Sequence, residues 1–327
     1  MDITKHNFAE NLDKIDKQIS DCDFISIDCE FSGLFHDQRL NNELNNYEQL
    51  YMNTRKNINQ FQIFQIGLSL FRKTPDELMN FDCHSYNFYI FPSKCIFLPE
   101  EQRERCFLCQ SSSLAFLVEN GFDFNKMIRD GITYIPLDQL ATVETKINAK
   151  IQENQSKTNF IEIEKEEDKK FFQEINDKLI KFMNNNDQHE EILRPCNSYY
   201  RRIVYETIQK STFNDAIQIS TGKNDNKGAI ILKKGAPKPK DEQAKTLMFD
   251  NVGFTLIIKS LIKHQKPLIG HSMFFDLLHI FNLFIEPLPE KYDQFKQSIK
   301  SCFNIVYDTA YISLSPNLRN FFPQTGK

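Results

Sequence analysis

The sequence predicts an α/β protein whose sheet is interrupted by an inserted segment. Short apolar runs that read as strands alternate with helical periodicity before Val143, and the same alternation returns after Phe249. Between the two the chain turns polar, dense in Lys, Glu, Asn and Gln from near Val143 to about Asn186. The 327 residues are 40% hydrophobic and 26% charged, which suffices for one large domain with an insertion or for two domains.

The elements follow in order. Phe8, Leu12, Ile15 and Ile19 stand at helical spacing. Phe24–Glu30 reads as a short strand, Phe61–Phe71 as a strand pair around Gly67, and Tyr86–Pro92 as another strand. Leu114–Leu117 and Phe122–Arg129 read as short helices broken by Gly121 and Gly131. A more structured region begins at Leu179, Ile180, Phe182 and Met183, and Pro195–Gln209 holds a helix. Thr221–Lys245, with Lys233, Lys234, Lys238 and Lys240, reads as an exposed, solubilising linker. Phe249, Val252, Leu256, Ile257 and Leu261 predict one helix to Lys263, Pro267–Gly270 a brief strand, Met273–Phe284 a helix, and Ile305–Asp308 the next strand.

The formal net charge is −4, so no overall excess of Lys and Arg announces a nucleic-acid binder. A carboxylate cluster that holds cations is compatible with that balance, because bound ions supply the charge facing a phosphate. The eight Cys have no framework spacing, the opening segment is polar, and no apolar run is long enough to span a bilayer. These features predict free thiols in a reducing compartment, nucleus or cytoplasm. Cys106 and Cys109 are spaced as half a zinc site, but without a second pair buried thiols are the better reading.

Asp28 and Glu30 carry the strongest local signal. Two residues apart on a strand, they point to the same face. Paired carboxylates at a strand end are costly without a cation, and oxygen ligands suit Mg²⁺ or Mn²⁺. A chance pair on an exposed edge fits the spacing as well. Asp276 follows a Gly270 turn, one turn into a helix, as a third ligand or as an acid complementing the helix dipole.

Together these elements resemble the poly(A)-specific ribonuclease family of four-acid exonucleases. The similarity runs through Phe24-Ile25-Ser26-Ile27-Asp28-Cys29-Glu30-Phe31-Ser32-Gly33, Phe64-Gln65-Ile66-Gly67, Asn87–Pro92, Cys109–Ser113, Asn120–Lys126, Leu268–His271, Asp276, Pro287–Pro289 and Asp308-Thr309, in family order. The resemblance implies a ribonuclease-H-like exonuclease fold, a mixed central sheet flanked by helices, with an inserted small nucleic-acid-binding domain. Residues 1–145 would be the first part of the nuclease domain. The insertion would be 146–245, with a small α/β module at about 170–220, and 246–327 would complete the nuclease. The resemblance further implies 3′→5′ hydrolysis of poly(A) at single-stranded RNA 3′ ends, releasing 5′-AMP at a two-ion Mg²⁺ or Mn²⁺ site of Asp28, Glu30 and Asp276, and a homodimer. Phe31 would stack on a terminal base, or serve as core in a chain with 30 Phe.

Several positions depart from the family pattern. The family's last motif, a His general base and a fourth acid, follows Asp308-Thr309 by a few dozen residues, and Lys327 precedes it; His271 and His279 belong to the earlier motif. The expectation is an impaired enzyme from an incomplete chain, with a catalytically inactive RNA-binding or scaffold protein as the alternative. Ser272 replaces the common Asn and Ala310 the common Lys, which weakens base reading and a phosphate contact. Arg201-x-x-x-Tyr205 stands where an Arg-x-x-x-His module belongs. Arg201, Arg202 and Tyr205 are its RNA-binding candidates, with a solvated helix face as the other reading.

Overall fold

The computed structural model describes residues 1–34, 46–74, 80–156, 164–222, 228–236 and 239–315. The chain forms two compact units, Met1–Ile147 with Thr246–Lys327, and Asn148–Lys245. No described helix is long and apolar enough to cross a membrane.

The first unit is built on six strands. Strand β1 (Asp2–Ile3) pairs with β4 (Phe81–Tyr89), which runs antiparallel to β3 (Ile63–Lys73), itself antiparallel to β2 (Phe24–Phe31). Strands β8 (Leu268–Gly270) and β9 (Val306–Asp308) extend the sheet in parallel from β2, giving the order β1-β4-β3-β2-β8-β9. Three antiparallel strands, with one parallel strand added beside β4 and two beside β2, make a mixed sheet, and parallel neighbours require crossover connections. The sheet is asymmetric by residue type. Ile25, Ile27 and Cys29 of β2 and Ile66, Leu68 and Leu70 of β3 are buried on one face, whereas Ser26, Asp28, Glu30, Gln65 and Gly67 alternate onto the other.

Helix α1 (Phe8–Asp21) lays Phe8, Ile15 and Ile19 into the packed face, as its spacing predicts. On its flank, Asp16 accepts from Ser260 (2.6 Å) and lies 3.1 Å from His264 Nε2, both on α9 (Thr255–His264). Helix α2 (Tyr47–Asn57) starts with a capping box made by Asn46 and Gln49, and buries Tyr51, whose hydroxyl donates to the Pro289 carbonyl (2.6 Å). Helices α3 (Ser111–Glu119) and α4 (Phe124–Asp130) cover a separate aromatic cluster around Phe64, Tyr89, Phe122 and Phe124.

The second unit is a three-stranded antiparallel sheet with two helices. Its order is β5 (Glu190–Leu193), β7 (Ile230–Lys234), β6 (Ile217–Thr221). Phe171, Ile175, Leu179 and Phe182 of α6 (Glu166–Asn184) and Ile203, Val204 and Ile208 of α7 (Ser198–Lys210) bury against Leu193, Ile217, Ile230 and Leu232. The chain enters this unit along α5 (Leu140–Ser156) and leaves it along α8 (Lys240–Asn251).

Several elements differ from their sequence expectation. Phe61–Phe71 is one strand rather than a pair, because Gly67 sits in register opposite Asp28 and Asn87 without breaking the ladder. Helix α6 begins at Glu166, well before Leu179, since its apolar stripe is only every third or fourth residue wide within a charged sequence. Lys233 and Lys234 lie on β7, not in a linker, because Ile230 and Leu232 bury the alternate positions; Lys238 lies outside the described residues. The helix expected over 249–263 is broken between α8 and α9, where Gly253 adopts φ +52°. A Cβ at Gly253 would overlap the Thr133 carbonyl oxygen, which accepts from Phe254 N–H at 2.9 Å. Gly253→Ala therefore combines left-handed backbone strain with a main-chain clash and is expected to destabilise the first unit by at least about 2 kcal/mol. Urea unfolding of the two chains side by side measures it, and an unchanged midpoint contradicts the clash.

Candidate active site

Strand β2 presents its carboxylates beyond the end of its pairing with β8, while it is still paired with β3. Asp28 pairs with Gly67 and Glu30 with Gln65, and the register slips between Glu30 and Phe31. Both acids alternate onto the open face; Asp28 is exposed and Glu30 is half-buried. Burial, and then the Asp28 charge, raise the Glu30 carboxyl above its ordinary range.

Asp276 arrives from the other side. Helix α10 (Phe274–Ile280) follows the Gly270–Met273 turn, and Asp276 is only 8% exposed. Its carboxyl is pushed up to about 6, mainly by burial and then by the Asp28 charge, while Cys29 opposes the shift through its thiol and backbone N–H. The Cys29 thiol is itself held far above its ordinary range by burial and by the Asp276 carboxyl, so it stays a donor. Asp276 Oδ1 is buried without a hydrogen-bond partner. An unpaired carboxylate oxygen in a dry site is costly.

The three acids thus share one field without sharing one cradle. Among the described residues, no three His, Cys, Asp or Glu side chains gather closely enough to hold a metal ion. The reason is directional: Asp28 and Glu30 leave the open face, whereas Asp276 lies beside Cys29, which points into the packed face. The donor chemistry nonetheless fits a hard divalent cation. All three groups are oxygen donors, two of them have raised carboxyls, and one carries an orphaned oxygen.

The neighbouring candidates fall as follows. Phe31 is half-buried, and its ring centroid lies 4.9 Å from that of His279. His279 is fully buried with both nitrogens unbonded, and burial lowers its pKa to about 3, so it stays neutral. A π-helical turn, Phe281–Ile285, follows α10 directly. Ser272 is exposed on the turn with φ +56°, and the His271 Nδ1 beside it lies 3.0 Å from the Thr309 hydroxyl. On α7 in the other unit, Arg201 donates to the carbonyls of Cys196 (3.3 Å) and Gly228 (3.4 Å), Arg202 pairs with Glu206 (2.7 Å), and Tyr205 is exposed. Cys106 and Cys109 are exposed rather than buried, because they lie in the irregular segment that precedes α3.

One residue that sequence reasoning left at the margin is central here. Asp308 ends β9 directly beside Gly270 of β8, and its carboxylate accepts from the N–H groups of Ser272 (2.9 Å), Met273 (3.0 Å) and Ala310 (2.9 Å). Its signal was the position of an acid at the end of the strand adjoining the Gly270 turn.

A mixed sheet of this order, with acids at the end of its central strand, defines a ribonuclease-H-like fold. The particular family follows from the sequence: residues 3–325 match the CAF1 family ribonucleases, and the chain belongs to that family. Poly(A)-specific ribonuclease PARN of Xenopus laevis is 30% identical over 332 residues, covering 94% of this chain and 51% of that protein. The pre-piRNA 3′-exonuclease trimmer of Bombyx mori is also 30% identical, covering 100% of this chain and 60% of the trimmer. The S. pombe Pop2p structure in its Mg²⁺- and Mn²⁺-bound form covers 97% of this chain and 75% of Pop2p, with 14% identity and a TM-score of 0.41. The chain spans about half the length of the curated relatives it matches.

The burial cost at Asp276 gives a direct test. Asp276→Asn removes a buried charge facing Asp28, and is expected to raise the metal-free melting temperature by about 2–4 °C, roughly 1 kcal/mol. Millimolar Mg²⁺ or Mn²⁺ is expected to raise the melting temperature of the parent chain, and the same substitution to abolish that rise. A variant that melts lower without metal and still responds to it contradicts this account of the site.

Proposed function

We propose that this chain is a 3′→5′ exoribonuclease of the poly(A)-tail-shortening type, acting on single-stranded RNA 3′ ends. The observation that carries this reading is the set of three carboxylates, with the buried, unpaired Oδ1 of Asp276 in the field of Asp28. Family membership and the names of the relatives support the class of substrate.

In this reading Asp28, Glu30 and Asp276 would hold Mg²⁺ or Mn²⁺, which would supply positive charge at the scissile phosphate and a polarised water. The chain's own residues do the rest. Burial around Asp276 excludes water and strengthens each charge interaction at the strand end. Phe31, backed by His279, offers a flat surface for the terminal base, which tolerates any base identity. Ser272, exposed on the turn, can bond a base edge through its hydroxyl. In the second unit, Arg202 and Tyr205 are exposed on α7 and form the RNA-facing set, while Arg201 fixes the helix start through two carbonyls.

His279, packed against Phe31, is not suited to take the proton from the attacking water, because it is enclosed and burial lowers its pKa to about 3, which makes it a weak base. The 327-residue polypeptide on its own is therefore proposed to turn RNA over slowly. A time course with 5′-labelled, A-tailed RNA and Mn²⁺ tests this. Stepwise shortening with release of 5′-AMP is expected, at least 100-fold slower for Asp28→Ala with Glu30→Ala, a difference of about 2.7 kcal/mol in barrier. RNA retained without shortening, and unaffected by Mn²⁺, would instead make the chain a binding protein on a nuclease fold.

A further inference from the structure

The turn that aims Asp276 is held by a second element, whose side chains both accept from it and donate to it. Strands β8 and β9 are parallel, with Gly270 in register with Asp308. At that level β8 gives way to the Gly270–Met273 turn and α10 begins. Asp308 Oδ1 accepts from Ser272 N–H (2.9 Å) and Oδ2 from Met273 N–H (3.0 Å). The hydroxyl of Thr309 donates to the Gly270 carbonyl (3.0 Å) and lies 3.0 Å from His271 Nδ1. All four residues of the turn are thereby tied to two consecutive residues of one neighbour. Such ties are needed, because Ser272 at φ +56° occupies a region a residue with a Cβ avoids, and that conformation persists only where its surroundings fix it.

Asp308 also caps α12 (Thr309–Leu314) through Ala310 N–H (2.9 Å), but that bond uses one of three. The other two go to the turn. A carboxylate that already accepts from three N–H groups is a fixed anchor rather than a spare metal ligand. Asp276 stands two residues beyond the first residue of α10, and its Oδ1 makes no hydrogen bond of its own. Its aim is set by where the helix starts.

We infer that Asp308 and Thr309 are positioning residues for Asp276, holding the Gly270–Met273 turn so that α10 delivers the carboxylate toward Asp28. The functional half of this inference rests on the proposed metal role of Asp276. The clamp bonds main-chain groups and the His271 ring, so it uses no side-chain atom at 272 or 310. Those are two positions where the chain departs from the family pattern, and the departures leave the clamp intact.

The test compares the full chain with Asp308→Asn, Thr309→Val and Thr255→Val. Asn offers a single acceptor oxygen where three N–H groups converge, and Val removes the Thr309 hydroxyl at similar volume. Thr255→Val is the control: its hydroxyl bonds Ile135 rather than the turn, so it loses buried hydrogen bonds elsewhere. Two readouts are taken: Mn²⁺ affinity by calorimetry and amide hydrogen exchange across 270–277. Asp308→Asn and Thr309→Val should weaken Mn²⁺ binding at least tenfold and speed exchange at Ser272 and Met273 at least tenfold, whereas Thr255→Val leaves both unchanged. If Asp308→Asn only lowers the melting temperature, with Mn²⁺ affinity and exchange as in the parent, Asp308 is merely a cap for α12 and the inference fails. If the parent chain binds no Mn²⁺, the metal reading of Asp276 fails, and the exchange data alone still decide whether the clamp exists.

Discussion

The short parallel pairing of β8 with β2 is the constraint on which the site depends. It rests on two register pairs, Ile25 with Leu268 and Ser26 with Ile269. Yet it must bring together segments separated by the whole second unit. Lengthening a loop raises its closure cost only logarithmically, so the insertion is tolerable in free energy. The pairing still needs support beyond its own ladder. It comes from Ile25 and Leu268, both buried, and from the α1–α9 contact, where Asp16 meets Ser260 and His264 immediately before β8. Burial alone would raise the Asp16 carboxyl, but hydrogen bonds from Ser260 and His264 and the nearby Lys263 bring it below its ordinary range. An ionised Asp16 therefore fastens the helix that leads into β8.

Once the strands are placed, the acids follow with an internal conflict. The sheet alternates Asp28 and Glu30 onto the open face and Cys29 onto the packed one. Asp276 meets Cys29 and is left buried, with an unpaired oxygen and a raised carboxyl. Folding alone gains nothing from that arrangement. Local destabilisation of this kind collects at functional sites, where a ligand absent from the free chain supplies the missing partner.

Much of the first unit was legible because its signals are local. Phe8, Ile15 and Ile19 mark α1, the apolar flank before Asp28 marks β2, and the Gly270 turn marks the start of α10. What escaped reading depends on partners distant in sequence. The periodicity across 249–263 is continuous in residue type, and only the approach of Thr133 forces Gly253 to break the helix. Lys233 and Lys234 look like linker residues until Glu190 and Gln218 are seen opposite Lys233, and Ile217 opposite Lys234, across the second sheet. The spacing of Asp28 and Glu30 gave their shared face correctly, but spacing cannot say that Asp276 would lie against Cys29.

Asp308 shows most clearly why a site reading by residue type stops short. An acid near three candidate metal ligands invites assignment as one more, and its three N–H partners argue against that. Those partners are main-chain groups, so no pattern of side chains encodes them. The same holds for Ser272, whose left-handed backbone is invisible in its name. The two observations explain one another: the strained residue sits where the carboxylate pulls two successive N–H groups inward, and a backbone with both groups on one concave side needs an unusual dihedral there. The bonds at Ser272 and Ala310 are made by their N–H groups, so a change of side chain at either position leaves these bonds, and with them the start of α10, in place.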